Sequence, residues 1–148
     1  MITLDYRIHS SPPTGTDLRH VGQSELHYDE FLGDIVFRVN GADMSAQWGW
    51  IPIVDFAACL HRIGEELQAR HCESFEFTES EHRIDFKLTD DMLEIGATYA
   101  VSSACVGLNE FRQKTGEFLR RVLDDLSRAN PTLNGNEYFQ LLYPRSDS

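Results

Sequence analysis

His61 and Glu65 stand four residues apart in His61-Arg62-Ile63-Gly64-Glu65. On a helix they share one face and offer an imidazole and a carboxylate to a metal ion. The order is not HExxH, and no third ligand stands at a matching spacing, so a solvated helix face is the simpler reading. His71-Cys72 is a second pair without further partners. A cysteine at a strand edge is more often a small buried hydrophobe than a nucleophile. Carboxylate pairs abound because acids do, and no Ser/His/Asp pattern or glycine-rich phosphate loop accompanies them. No catalytic residue, metal or cofactor is therefore expected.

The stronger signal is acidic. The chain carries 24 Asp and Glu against 13 Lys and Arg, a formal net charge of -11. The excess is uneven: residues 1–60 hold eight acids and three bases, residues 61–104 ten and four, and residues 105–148 six and six. Glu73, Glu76, Glu79, Glu81, Asp85, Asp90, Asp91 and Glu94 concentrate it. Such runs are ordinarily solvated faces. Here the field is directional, because the following third of the chain is neutral. It attracts basic proteins and repels nucleic acid and anionic membranes. These eight acids are the candidate partner-binding residues. Trp48 and Trp50 add aromatic area in Trp48-Gly49-Trp50. Trp48 shares parity with Met44 and Ala46 and reads as sheet core. Trp50, beside Pro52, is the candidate anchor at a rim, since tryptophan is frequent among interface hot spots.

The elements that position these residues follow from periodicity. Ile2, Leu4, Tyr6 and Ile8 alternate as a half-buried strand, and the Ser10–Gly15 loop ends it. Leu26, Tyr28 and Phe31 hint at a short strand within 16–32. Asn40-Gly41 between two alternating runs marks a hairpin that sets Val39 against Ala42, Phe37 against Met44, Ile35 against Ala46 and Gly33 against Trp48. Phe56, Leu60, Ile63 and Leu67 form the stripe of a helix over 53–70, with Asp55 at its positive end. A three-stranded meander follows, built on Phe75 and Phe77, then Ile84, Phe86 and Leu88, then Leu93 to Val101. A turn at Asp90-Asp91 sets Lys87 opposite Glu94. Phe111, Phe118, Leu119, Val122 and Leu126 mark a second helix over 107–129, with Glu117 and Arg121 as an i,i+4 pair, and Pro131 stops it. Tyr138, Phe139, Leu141 and Leu142 end the pattern as a strand or short helix. The expectation is α+β: an antiparallel sheet of about five to six strands with two main helices packed on one face.

A chain of 148 residues fits one domain, 1–148, with Ser146-Asp147-Ser148 frayed. Three scattered cysteines suggest a reducing compartment rather than a disulfide framework. Residues 1–5 lack the basic-then-apolar order of a secretory leader, and no apolar run is long enough for a membrane span. A cytoplasmic location is expected.

The order of a hairpin ending in Trp48-Gly49-Trp50-Ile51-Pro52, the helix Asp55-Phe56-Ala57-Ala58-Cys59-Leu60, then Phe75-Glu76-Phe77-Thr78-Glu79-Ser80, the strand Ile84-Asp85-Phe86 and a long helix closing at Asn130-Pro131 is similar to small bacterial immunity proteins of polymorphic and contact-dependent toxin systems. The similarity covers roughly residues 30–135 and is one of pattern. It implies an inhibitor without catalysis whose partner is the C-terminal domain of a toxin, often a basic nuclease, and it carries over no functional residue. The rival readings are a small hydrolase or metal-dependent enzyme using His61, and a structural or assembly subunit that pairs through an exposed sheet edge.

Overall fold

The computed structural model describes residues 1–144. β1 (Ile2–Ser10), α1 (Gln23–Tyr28), β2 (Leu32–Val39), β3 (Ala42–Asp43), β4 (Ala46–Pro52) and α2 (Ile53–Glu66) form the first half. β5 (Cys72–Glu76), β6 (Arg83–Thr89), β7 (Met92–Ala97), β8 (Ala104–Gly107), α3 (Leu108–Ala129), a 3-10 turn (Pro131–Gly135) and α4 (Glu137–Leu141) follow. The class is α+β, with antiparallel pairing and two main helices as expected. The eight strands divide into two four-stranded sheets rather than one sheet of five to six. In the first, β2 lies between β1 and the β3–β4 segment. The second is the meander β5-β6-β7-β8. No helix among the described residues is long and apolar enough to cross a membrane. The fraying expected of Ser146–Ser148 falls outside the described residues.

One continuous core runs from Ile2 to Phe139. α2 gives it Phe56, Leu60 and Ile63 at the expected spacing, and α3 gives Phe111, Phe118, Leu119, Val122 and Leu126, all buried. Each such side chain contributes about 1.5–3 kcal/mol by leaving water. α2 starts directly after Pro52, the last, extended residue of β4 and the cap position of the helix, and Asp55 lies buried in its first turn. In β6 the burial alternates strictly, so one face of the second sheet meets the core and the other stays open.

The Asn40-Gly41 hairpin has the expected register at Val39↔Ala42 and Ile35↔Ala46. Both central residues have positive φ, 46° and 93°, the type I′ signature. Nothing lies within 4 Å of a Cβ built on Gly41, so a side chain there meets backbone strain alone. Gly41→Val is expected to lower stability by about 1 kcal/mol or more, because a β-branched residue resists positive φ. Urea denaturation reads the loss, and an unchanged midpoint excludes it.

Five expectations are corrected. Gly33 faces Ile51, not Trp48. Residues 47–50 bulge out of the ladder, with Gly49 at φ 79° and its N–H donated to the Asp34 carboxylate at 2.8 Å. The hinted strand within 16–32 is instead the short helix α1, which buries Leu26. The meander has a fourth strand, β8, and β7 stops at Ala97, so Tyr99 and Val101 lie beyond it. α2 ends at Glu66, short of residue 70. Glu117 does not pair with Arg121. Arg121 turns to Asp5 at 3.3 Å and to the Leu4 carbonyl, and Glu117 meets Lys114 at 3.8 Å. The Lys87↔Glu94 register is as expected, and the segment after Asn136 is the short helix α4.

Candidate functional site

The eight acids do not form one patch. Glu76, Asp85 and Glu94 share the open face of the second sheet, where Arg83 and Lys87 interleave with them. Asp85 accepts from Arg83 at 3.0 Å and from the Ser74 hydroxyl at 2.7 Å. Glu73 has the opposite parity, opposite Phe86. Its side chain is 11% exposed and meets Arg70 at 3.5 Å. Asp90 and Asp91 form the β6–β7 turn at one end of the strands, with Asp90 at φ 57°. Glu79 and Glu81 lie in the β5–β6 turn at the other end.

That second turn is where charge and aromatic area meet. Trp48 stacks on Trp50 at 5.3 Å with an 18° tilt, and on His82 at 5.3 Å with a 25° tilt. Phe77 and Tyr99 each close on Trp48 edge-to-face at 5.0 Å. Both tryptophans are half-buried and His82 is exposed. Trp48, expected in the core, therefore packs on the core but keeps part of its ring area accessible, as Trp50 does at the rim. The bulge causes this. A regular strand would send Trp48 and Trp50 to the same face two residues apart, and positive φ at Gly49 folds them into a stack. Burial pushes the Tyr99 hydroxyl well above its ordinary range, and it donates to the Met44 carbonyl at 2.7 Å. Glu76, Glu79 and Glu81 are exposed in the segment that supplies Phe77 and His82, and they make no ion pair among the described residues. His82 and Tyr99 were not legible as site residues. Their partners stand far away in sequence, and only the fold brings them together.

The other clusters carry less chemistry. Glu65 pairs with Arg112 at 2.8 Å rather than standing free beside His61, and burial holds the His61 imidazole below its ordinary value. The groove beside them, about 590 Å³, is lined by Arg112, Gly116, Arg120 and Asp124 of α3. Its charges are mixed: Asp124 accepts from the Tyr143 hydroxyl at 2.9 Å, and Arg120 reaches the Pro144 carbonyl at 3.4 Å. No group of three side chains able to hold a metal occurs among the described residues. Cys72 is exposed, not buried.

A cluster the sequence did not announce joins α1 to α2. Buried Asp55 lies 3.4 Å from His27 Nδ1 and accepts from the Cys59 thiol at 3.4 Å. Burial, then the adjacent carboxylate, pushes the Cys59 thiol up to about 11. An activated cysteine needs the opposite, a lowered value beside a cation. The carboxylate stands between thiol and imidazole and holds the proton on sulfur. Comparison with family models, with curated proteins and with solved structures gives no match.

Proposed function

We propose that this protein is a binding inhibitor that acts without catalysis. In this reading it is an immunity protein of the cytoplasm that neutralises the C-terminal domain of a cognate toxin, a basic and nuclease-like protein. The observation that carries the reading is the juxtaposition of Glu76, Glu79 and Glu81 with the Trp50–Trp48–His82 stack. Exposed acids raise the encounter rate with a cationic protein. Half-buried tryptophans supply the apolar area that slows dissociation. The net charge of -11 supports the same partner class and opposes nucleic acid or an anionic membrane as the partner.

The reading expects a large toxin gene immediately upstream of this one, and the test is co-expression with the C-terminal domain of its product. Growth is expected to be restored by the chain, and continued growth arrest with both proteins present and soluble overturns the reading. Association then locates the surface. Reversing Glu76, Glu79 and Glu81 to lysine is expected to slow association about tenfold or more at low salt. Reversing Glu110, Glu117 and Asp124 on α3 changes the net charge equally and is expected to slow it less. Stopped-flow mixing across ionic strength separates the two, since screening acts over about 8–10 Å near physiological salt. Equal slowing reduces the attraction to net charge alone.

A further inference from the structure

We propose that the outer edge of β5 is a docking strand that takes an extended basic segment of the partner by strand addition. The inference rests on the binding reading above and names how the contact is made.

The hydrogen-bond phase of the β5–β6 ladder fixes which backbone groups are free. Phe77 donates its N–H to the His82 carbonyl at 3.2 Å, and Leu88 donates to the His71 carbonyl at 2.7 Å. Antiparallel pairs alternate between bonded and non-bonded. His71, Glu73, Phe75 and Phe77 therefore turn their amides toward β6. Cys72, Ser74 and Glu76 turn theirs outward. All three residues are exposed, and their backbone groups make no hydrogen bond outside the ladder among the described residues.

Each of the other three sheet edges is interrupted by a side chain. On β1 the outward Tyr6 N–H goes to the Asp5 carboxylate at 2.8 Å, and the outward Leu4 carbonyl accepts from Arg121. On the β3–β4 side the outward Ser45 N–H goes to Asp43 at 3.0 Å. On β8 the Cys105 carbonyl takes the Asn40 amide at 2.6 Å. Closed edges prevent unwanted strand pairing, and an open edge is a template for it. β5 is the one edge of the four on which, among the described residues, no outward backbone group is taken by a side chain.

Charge selects the occupant. Glu76 lies on the edge itself, and Glu79 and Glu81 follow it in the turn, so an added strand bearing Lys or Arg runs beside three acids without cationic partners. A second copy pairing β5 with β5 sets the same acids of both chains along one seam, which like-charge repulsion opposes. The Trp48–His82 stack lies against the turn at the end of this edge and extends the contact beyond the backbone bonds.

The experiment uses the purified toxin domain from the growth test as probe, with amide hydrogen exchange on the full chain. In the complex the amides of Cys72, Ser74 and Glu76 are expected to exchange about tenfold or more slowly than in the free chain. Ser74→Ala removes the hydroxyl bond to Asp85 and serves as the reference. Ser74→Pro removes in addition the outward N–H, which edge strands tolerate, and is expected to bind about tenfold or more weakly than Ser74→Ala at a near-equal denaturation midpoint. If the wild-type chain binds but neither exchange nor the proline variant responds, the edge assignment is overturned and the inhibitor reading stands. If the wild-type chain does not bind the domain, both fall. A wild-type dimer that Ser74→Pro dissociates makes a second copy the occupant and overturns the basic segment. Should Ser74→Pro fail to fold, exchange in the wild-type chain decides alone.

Discussion

Phe56→Ala is expected to cost about 3–5 kcal/mol, the range for removing a fully buried aromatic side chain and leaving a cavity. Phe56 is 0% exposed. Its ring meets Phe37 of the first sheet at 6.3 Å, Phe75 of the second at 5.4 Å and Phe118 of α3 at 6.2 Å, all edge-to-face. It is the point where both sheets and both main helices converge, so no single neighbour can relax into the space. A loss of this size removes a large share of the roughly 5–15 kcal/mol that holds a domain together.

The effect is expected to reach the candidate site. Phe75 packs on Phe77 at 4.9 Å, and Phe77 on Trp48 at 5.0 Å. A file of edge-to-face rings thus runs from α2 to the exposed stack. In Phe56→Ala the tryptophan emission should shift to the red at denaturant concentrations below the main transition, as Trp48 loses its support and gains water. Phe56→Leu keeps most of the volume and should lose less than half as much stability. Guanidinium titration followed by fluorescence and by far-ultraviolet circular dichroism reads both effects. A loss below about 1 kcal/mol would show that this site collapses readily and that the sheets do not depend on one ring.

The parts of this fold that could be read from the sequence are those set by local period. The stripes of α2 and α3, the Asn40-Gly41 turn and the Lys87↔Glu94 register each follow from side chains within a few residues of one another. Where reading failed, a distant group had intervened. Alternation runs unbroken through Trp48-Gly49-Trp50, yet Asp34 takes the Gly49 N–H and pulls three extra residues out of the ladder. Arg121 had a carboxylate four residues before it and instead crosses to β1, where it takes the outward Leu4 carbonyl. β8 is four residues long, with Cys105 and Gly107 at its outward positions, and shows no alternation to detect. The division of one expected sheet into two has the same origin. Nothing between Ile53 and Leu67 shows whether the strands on either side of α2 pair with each other.

The candidate site was half legible for the same reason. Charge density at residues 73–94 is visible in composition. Its division among an open face, two opposite turns and the Arg70 pairing depends on strand parity and on where β5 ends. Trp50 was legible as a candidate anchor from its position beside Pro52. The three-ring stack that gives it a function-sized surface needs His82, and only the β5–β6 turn brings that residue near.

Asn136→Ala is expected to cost about 2–4 kcal/mol, from the lost helix cap and from two carbonyls, one buried and one part-buried, that lose the Asn136 donor. Asn136 is 1% exposed. Its Nδ2 donates to the Leu18 carbonyl at 2.8 Å and to the Val21 carbonyl at 2.9 Å, and its Oδ1 accepts the Phe139 N–H at the start of α4. One amide therefore ties the segment before α1 to the segment after α3, more than a hundred residues apart in sequence. Asn136→Asp separates the two roles. The carboxylate still accepts from Phe139 but faces the two carbonyl oxygens with no proton to give them. At neutral pH it should be at least as damaging as alanine. Burial beside those oxygens raises the folded-state value of the new carboxyl above its unfolded value near 3.9. A raised value means the protonated form favours the folded state. Stability relative to the wild-type chain should then be recovered on acidification toward about pH 4 and lost as pH rises through the folded value. Urea denaturation of the three proteins at pH 7 and near pH 4.5 makes the comparison. If the aspartate variant matches the wild-type chain at pH 7, the two donated bonds contribute nothing. If its deficit does not shrink in acid while the alanine deficit stays constant, the carbonyl pair is not what the Asn136 amide serves.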